Sequence, residues 1–281
     1  MTEPARRAAV LGSPIAHSLS PALHQAAYRE LGLTGWRYDA VECDEAGLPS
    51  LIASLGPEWA GLSLTMPLKR AVLPLLDTVE PLAEQVGAVN TVVLRAGQRS
   101  GFNTDVAGMV TAVRQAWTPS GGNALVLGAG ATACSALVAL RDLGLTAITV
   151  AVRSAPRAEP LLAVARRLGI DVAVTGLGSG LARRPWQLLI STIPSAGVEE
   201  VAGLVAAGEL TAAAVLDVTY DPWPTALAQA ADKAGSSVIS GYEMLVQQAV
   251  GQVELMTGRR PDAAAMRAAG HAEMTRRRNI R

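Results

Sequence analysis

At Asn123–Ala133 an apolar run, Ala124-Leu125-Val126-Leu127, stops at Gly128-Ala129-Gly130, and apolar positions at Leu137, Leu140 and Leu143 follow at once. The run suits a short buried strand and the spacing of three behind it suits one face of a helix. A chain that turns from strand to helix within three residues needs small side chains. Gly128 permits the tight turn, Gly130 lets a ligand approach the main chain, and Ala133 is small enough for helix and strand to pack closely. The unpaired N–H groups and positive dipole end of such a helix collect anions. The stretch Gly128, Ala129, Gly130, Ala131, Thr132 and Ala133 therefore predicts the seat of a nucleotide pyrophosphate. The plain alternative is a turn that uses glycine for steric reasons alone.

A chain of 281 residues suggests two domains, and half apolar with 17% charged it can bury a sizeable core. Its formal net charge is zero, so no global field draws it to nucleic acid or to an anionic membrane. The basic run Arg276-Arg277-Arg278 reads as a frayed, solvated C-terminus. Cys43 and Cys134 lie far apart in no metal-like spacing, which predicts neither disulfide framework nor metal site and suits a reducing cytoplasm. Ala8–Leu11 is too short for a signal-peptide core and reads as a first strand. No apolar run approaches the ~20 residues needed to span a bilayer.

Along the chain, strands are predicted at Ala8–Leu11, Trp36–Val41, Gly61–Thr65, Val86–Leu94 and Gln98–Phe102. Helices are predicted at Pro21–Gly32, Leu48–Leu55, from Pro67 onward, and from Asn103-Thr104-Asp105 to about Trp117. Thr118-Pro119-Ser120-Gly121-Gly122 is the strongest linker signal and marks a domain boundary. Beyond the glycine turn, strands at Ala147–Val152, Asp171–Val174, Leu188–Ser191 and Ala214–Val218 alternate with helices at Ala158–Leu168 and Glu199–Ala207. That pattern predicts a doubly wound, Rossmann-type layer. Gly176–Gly180 reads as a surface loop, and Tyr242–Met256 as a last helix. The expected organisation is an α/β chain with a mostly parallel N-terminal domain over residues 1–117, a nucleotide domain over 118–239, and a helical segment over 240–281 that returns to the first domain.

Domains that select NAD usually carry Asp or Glu at the end of the second strand, to bind the ribose hydroxyls. Here that end carries Arg153 and Ser154, with Arg157 one turn on. Guanidinium forks give a phosphate bidentate, charge-assisted bonds, so the set predicts the 2′-phosphate of NADP. A solvated basic helix start is the bland alternative, and the helix dipole disfavours it.

Four polar pairs of the first half fall at the ends of predicted strands, where open α/β sheets bind ligands: Ser18 with Ser20, Thr65 with Lys69, Asn90 with Thr91, and Asn103 with Asp105. Singly they read as turn residues, a solvated lysine and helix caps. Together with their surroundings they match a family. The strings GSPIAHSLSPALH (Gly12–His24), SLTMPLK (Ser63–Lys69), GAVNT (Gly87–Thr91), NTDVAG (Asn103–Gly108), DVTYDPWPT (Asp217–Thr225) and SGYEMLVQQA (Ser240–Ala249) resemble the shikimate dehydrogenases, in order and over nearly the whole chain.

The resemblance implies an NADP-linked, reversible reduction of 3-dehydroshikimate to shikimate in aromatic amino-acid biosynthesis. It implies that Ser18 and Ser20 bind the substrate carboxylate, and that Lys69 and Asp105 form the catalytic pair. Thr65, Asn90 and Gln248 would contact ring hydroxyls, with Tyr220 near the junction of substrate and nicotinamide. Thr192, Gly241 and Met244 join the residues expected around the cofactor. The chain departs from the common pattern with Ser63 where Asn is usual, Val152 and Ser154 within an Asn-Arg-Thr motif, Ser191-Thr192-Ile193 for Asn-Ala-Thr, and Tyr242-Glu243 for Leu-Gly. The rival readings are a quinate/shikimate or aminoshikimate dehydrogenase of the same family, or a non-catalytic NADP-binding paralogue. No metal, nucleic acid or membrane partner is expected, and a homodimer is among the assemblies the sequence allows.

Overall fold

The computed structural model describes residues 5–178, 180–181 and 185–279. Ser179, within the predicted loop Gly176–Gly180, lies outside the described residues. The chain divides into two compact units, one running up to Thr104 and resuming at Val246, the other spanning Asp105–Leu245.

The first unit opens with β1 (Arg6–Gly12), α1 (Ser20–Glu30), β2 (Trp36–Glu42), α2 (Leu48–Ala53) and β3 (Trp59–Leu64). There follow α3 (Leu68–Ala71), β4 (Thr78–Val79), α4 (Pro81–Val86), β5 (Thr91–Arg95) and β6 (Gln98–Phe102). Its sheet has the order β2-β1-β3-β5-β6-β4. β1 runs parallel to β2 and β3, and β4 runs parallel to β6, while β5 is antiparallel to both neighbours. The apolar run that predicted β1 is buried from Ala8 to Leu11. Leu48, Ile52, Leu68, Val72 and Ala83 pack with Leu11, Leu62, Leu64 and Val92 into one core. A fully buried leucine in such a core contributes about 1.5–3 kcal/mol by leaving water. On α1 the buried residues Ser20, Leu23, His24 and Ala27 recur at helical spacing, so this face carries two polar groups inward.

The second unit begins with α5 (Asp105–Ala116), β7 (Gly122–Leu127), α6 (Ala131–Asp142), β8 (Leu145–Val152), α7 (Glu159–Leu168) and β9 (Val172–Gly176). It continues with β10 (Trp186–Ser191), α8 (Glu199–Ala206), β11 (Ala212–Asp217), α9 (Ala226–Lys233) and β12 (Ser237–Ser240). Its strands lie in the order β12-β11-β10-β7-β8-β9, every neighbouring pair parallel. Strand order reverses between β7 and β10, so the carboxyl end of β7 is the topological switch point where doubly wound sheets take ligands. α6 is buried along nearly its whole length from Ala133 to Leu140, which its small side chains at 133, 136 and 139 allow.

Several expectations change. Asp105–Ala116 packs on α6 and β12, so the units part at Thr104/Asp105 rather than in the Thr118–Gly122 linker. Val86–Leu94 is not one strand: Pro81 opens a helix, Gly87 ends it in the left-handed region, and β5 starts at Thr91. The helix begun at Pro67 lasts only Leu68–Ala71, and Gly176 closes β9.

The last helix is followed by another. α10 (Gly241–Thr257) leads to α11 (Ala263–Arg278), whose start is capped by Asp262 Oδ1 accepting from the Ala264 N–H at 2.9 Å. Arg276 and Arg277 pair with Glu273 within α11 and hold its carboxyl down at about 2. The basic run is therefore the end of a helix packed on α1, not a frayed tail.

Candidate active site

In the first unit the expected substrate residues gather at the carboxyl ends of β1 and β3. The loop after β1 delivers Ser18, whose N–H donates to the Ile15 carbonyl at 2.9 Å and whose Oγ accepts from the Ser20 N–H at 3.2 Å. Both serines are buried. Arg277 fixes the same loop from α11, donating from Nη1 to the His17 carbonyl at 2.8 Å and from Nη2 to the Ser18 carbonyl at 3.0 Å.

Beyond β3, Thr65 donates its N–H to the Leu11 carbonyl at 2.9 Å, which joins the ends of β1 and β3. Lys69, second residue of α3, is half-buried, and its carbonyl accepts from the Val89 N–H at 2.8 Å. That bond ties the lysine's helix to the segment bearing Asn90.

Asn90 is 1% exposed and every polar atom of its side chain is engaged. Its Nδ2 donates to Thr104 Oγ1 at 2.9 Å and to Gln248 Oε1 at 3.1 Å, while Oδ1 accepts from the Thr104 N–H and the Thr91 hydroxyl, each at 2.9 Å. A buried amide satisfied on all sides is rigid, and here it fixes Gln248 as well. Asp105, the residue after Thr104, is buried at the start of α5.

Thr104 and Gln252, absent from the expected set, belong to this cluster. Gln252 stands one helical turn after Gln248 on α10, a spacing that puts both amides on one face. Its Nε2 donates to the Asn90 carbonyl at 3.2 Å, and its Oε1 accepts from Ser63 Oγ at 2.8 Å. Burial forces the nearby His24 imidazole down to about 3, against the opposing pull of its bond to Gln252, so it stays neutral at physiological pH.

In the second unit the glycine turn and both arginines line one pocket of about 350 Å³, with Ala129, Ala151, Val152, Leu177 and Ile193. Gly128 has φ +101°, and a Cβ there would meet Thr192 Oγ1 at 2.7 Å and Ile193 Cγ2 at 2.8 Å. Thr192 Oγ1 donates to the Leu127 carbonyl at 2.8 Å, which holds the β10 loop against the turn. Around Gly130 no atom lies within 4 Å of where a Cβ would project. No side chain caps α6, so its first N–H groups are left for an external acceptor.

Arg153 and Arg157 are exposed, and neither guanidinium makes a hydrogen bond or ion pair among the described residues. Ser154 sits between them, its carbonyl accepting the Arg157 N–H at 3.0 Å. Two unpaired guanidinium groups beside a glycine turn suit a dinucleotide with an extra phosphate on its ribose.

Tyr220 lies in the turn after β11, half-buried. That turn is braced by buried Asp217, which accepts from Thr225 Oγ1 at 2.7 Å and the Thr219 N–H at 3.1 Å. Burial raises the Asp217 carboxyl above its ordinary range, with the threonine bonds pulling the other way. At the start of α10, Gly241 lies so close to the Val218 carbonyl that a Cβ would overlap it, and Met244 is buried one turn on. Among the described residues no group of three or more His, Cys, Asp or Glu could hold a metal ion.

Known proteins resemble this chain in sequence and fold. The shikimate dehydrogenase substrate binding domain matches residues 10–92, and the shikimate 5'-dehydrogenase C-terminal domain matches residues 241–269. A shikimate dehydrogenase (NADP(+)) of Thermus thermophilus is 37% identical over 262 residues, covering 92% of this chain and 95% of the relative. The crystal structure of Mycobacterium tuberculosis shikimate dehydrogenase superposes with a TM-score of 0.84 at 43% identity, over 95% of this chain and 99% of that one. That of a Thermus thermophilus shikimate 5-dehydrogenase in complex with NADP(H) and shikimate gives 0.81 at 34% identity, over 95% and 99%. Identity above a third across nearly the full length of both chains establishes kinship, and this chain belongs to the shikimate dehydrogenase family.

Proposed function

We propose that this chain catalyses the reversible NADPH-dependent reduction of 3-dehydroshikimate to shikimate, a step of aromatic amino-acid biosynthesis. The observation that carries this reading is the buried cluster of Ser18, Ser20, Asn90, Thr104 and Gln248 in one unit. A site lined with hydroxyl and amide groups rejects ligands that cannot bond them, because its own groups would be left unpaired.

In this reading Ser18 and Ser20 hold the substrate carboxylate, while Thr65, Asn90 and Gln248 bond the ring hydroxyls. The cofactor supplies the hydride when bound. As the ketone carbon becomes an alcohol carbon, negative charge builds on its oxygen. The Lys69 ammonium stabilises that charge and gives the oxygen its proton, and in the reverse direction takes it back. Asp105 orients the lysine, and Tyr220 stands where substrate and nicotinamide meet.

The turn Gly128–Ala133 receives the pyrophosphate and Arg153, Ser154 and Arg157 the 2′-phosphate. Thr192, Gly241 and Met244 complete the cofactor set. Support for NADP comes from the unpaired guanidinium groups and from the Thermus relative's complex with NADP(H) and shikimate. The two buried, free cysteines suit a reducing cytoplasm.

The test is nicotinamide absorbance with shikimate and with quinate, each against NADP and NAD. Shikimate with NADP is expected to give the highest kcat/KM. A higher value with quinate would replace the proposed substrate, and absence of turnover with both would leave a non-catalytic binder.

A further inference from the structure

Behind Ser20 and Asn90 runs a chain of buried polar side chains that none of the roles above employs. The Ser20 side chain lies beside the Tyr38 phenol. Tyr38 OH donates to Ser63 Oγ at 2.6 Å, Ser63 Oγ donates to Gln252 Oε1 at 2.8 Å, and Gln252 Nε2 donates to the Asn90 carbonyl at 3.2 Å. Every member from Ser20 to Asn90 is at most 4% exposed. His24 closes the side of the chain, its ring stacked on Tyr38 at 3.8 Å and its Nε2 3.2 Å from Gln252 Oε1. Since Oε1 can only accept, His24 carries its proton on Nε2.

The members come from α1, β2, β3, α10 and the approach to β5. Local structure requires none of these bonds, and Phe, Ala and Leu could fill the same space without polar groups to satisfy. Buried polar groups that meet end to end fix geometry more tightly than apolar packing, because each misplacement strands a donor or acceptor. The two ends of this chain are Ser20, assigned to the carboxylate, and Asn90, assigned to the ring hydroxyls.

We infer that Tyr38, Ser63 and Gln252 are positioning residues that set the spacing between the carboxylate-holding and hydroxyl-holding ends of the substrate site, and so select which hydroxylated ring acid it accepts. This rests on the substrate assignment of Ser20 and Asn90 proposed above.

The experiment compares Tyr38→Phe, Ser63→Ala and their double variant with Ser20→Ala and Asn90→Ala in steady-state kinetics. Tyr38→Phe and Ser63→Ala each delete one oxygen, and the KM for NADP reports that the fold is intact. Each single change is expected to raise the KM for shikimate about fivefold, the worth of one ordinary hydrogen bond. kcat and the KM for NADP should stay within about twofold, and the double variant should fall short of the product of the two singles, because both break one chain. An unchanged KM for shikimate in Tyr38→Phe and Ser63→Ala, alongside a raised KM in Ser20→Ala and Asn90→Ala, overturns the positioning role and leaves the site standing. A lowered melting temperature without the KM change identifies mere structural support and overturns it equally. If Ser20→Ala and Asn90→Ala also leave KM unchanged, the substrate assignment fails first and takes the inference with it.

Discussion

Arg277 donates from Nη2 to the main-chain carbonyl of Ser18 at 3.0 Å, across 259 residues of sequence. Its Nη1 holds the neighbouring His17 carbonyl, and Glu273 aims the guanidinium through a 2.7 Å bond to Nε. The loop that bears a proposed carboxylate ligand is thus shaped by the last helix. Arg277→Ala should loosen it and raise the KM for shikimate, by up to about thirtyfold if the loss of both hydrogen bonds, each worth about 1 kcal/mol, falls on substrate binding. Arg277→Lys should recover little, because an ammonium lacks the planar fork that meets both carbonyls. Steady-state kinetics decide it: wild-type KM in Arg277→Ala would mean that the loop holds its shape unaided.

Lys69 is proposed to act on the reacting oxygen alone. Lys69→Ala should lower kcat by about a hundredfold or more, the usual worth of a positioned proton donor, with NADPH affinity kept within about twofold. Stopped-flow turnover paired with NADPH fluorescence titration separates the two effects. Parallel loss of cofactor binding would show that the lysine serves the nucleotide instead.

Arg153→Asp puts a carboxylate where a phosphate is proposed to lie. Charge-assisted bonds are worth about 1.5–3 kcal/mol, so the KM for NADP should rise roughly ten- to a hundredfold. The KM for shikimate should not move, and discrimination against NAD should shrink. An unaltered KM for NADP would remove Arg153 from the cofactor site.

The sequence made both layers of this protein legible because their signals are local. Glycine, the run before it and the spacing after it specify β7 and α6, and Arg153 and Arg157 follow β8 closely enough to be placed beside them. The elements that escaped are those whose cause lies elsewhere in the chain. β4 has two residues and β12 four, and each is a strand only because a neighbour pairs with it. α9 buries Leu227, Ala228, Ala230 and Ala231 on one face, and a stripe made mostly of alanine is a weak signal in the sequence. α11 buries only Met266 and Gly270 among its residues, so in the sequence its arginines read as a solvated tail, because the Ser18 loop that Arg277 binds lies 259 residues away. Similarly, Ser63 and Gln252 lie 189 residues apart, and no periodicity could announce their bond. The i,i+4 pair Gln248 and Gln252 was the one available hint.

His24 gives the fold a pH dependence whose sign follows from its burial. The folded imidazole is lowered to about 3 from an ordinary 6.5, by desolvation between Tyr28, Tyr38 and α10, while the unfolded chain titrates normally. Below pH ~6.5 the unfolded state takes up a proton that the folded state refuses, so stability falls as pH drops toward ~3, by up to about 1.4 kcal/mol per pH unit from this residue. Other carboxylates and histidines add their own slopes, and these are shared by a variant that alters only position 24. His24→Phe keeps an aromatic ring on Tyr38 and leaves Ser63 donating to Gln252, so it should fold while losing this one proton linkage. Urea denaturation at pH 7 and pH 5 should show the wild type losing about 2 kcal/mol more than His24→Phe over that interval. Equal losses in the two proteins would mean that the imidazole is protonated in the folded state, with a carboxylate or water beside its Nδ1.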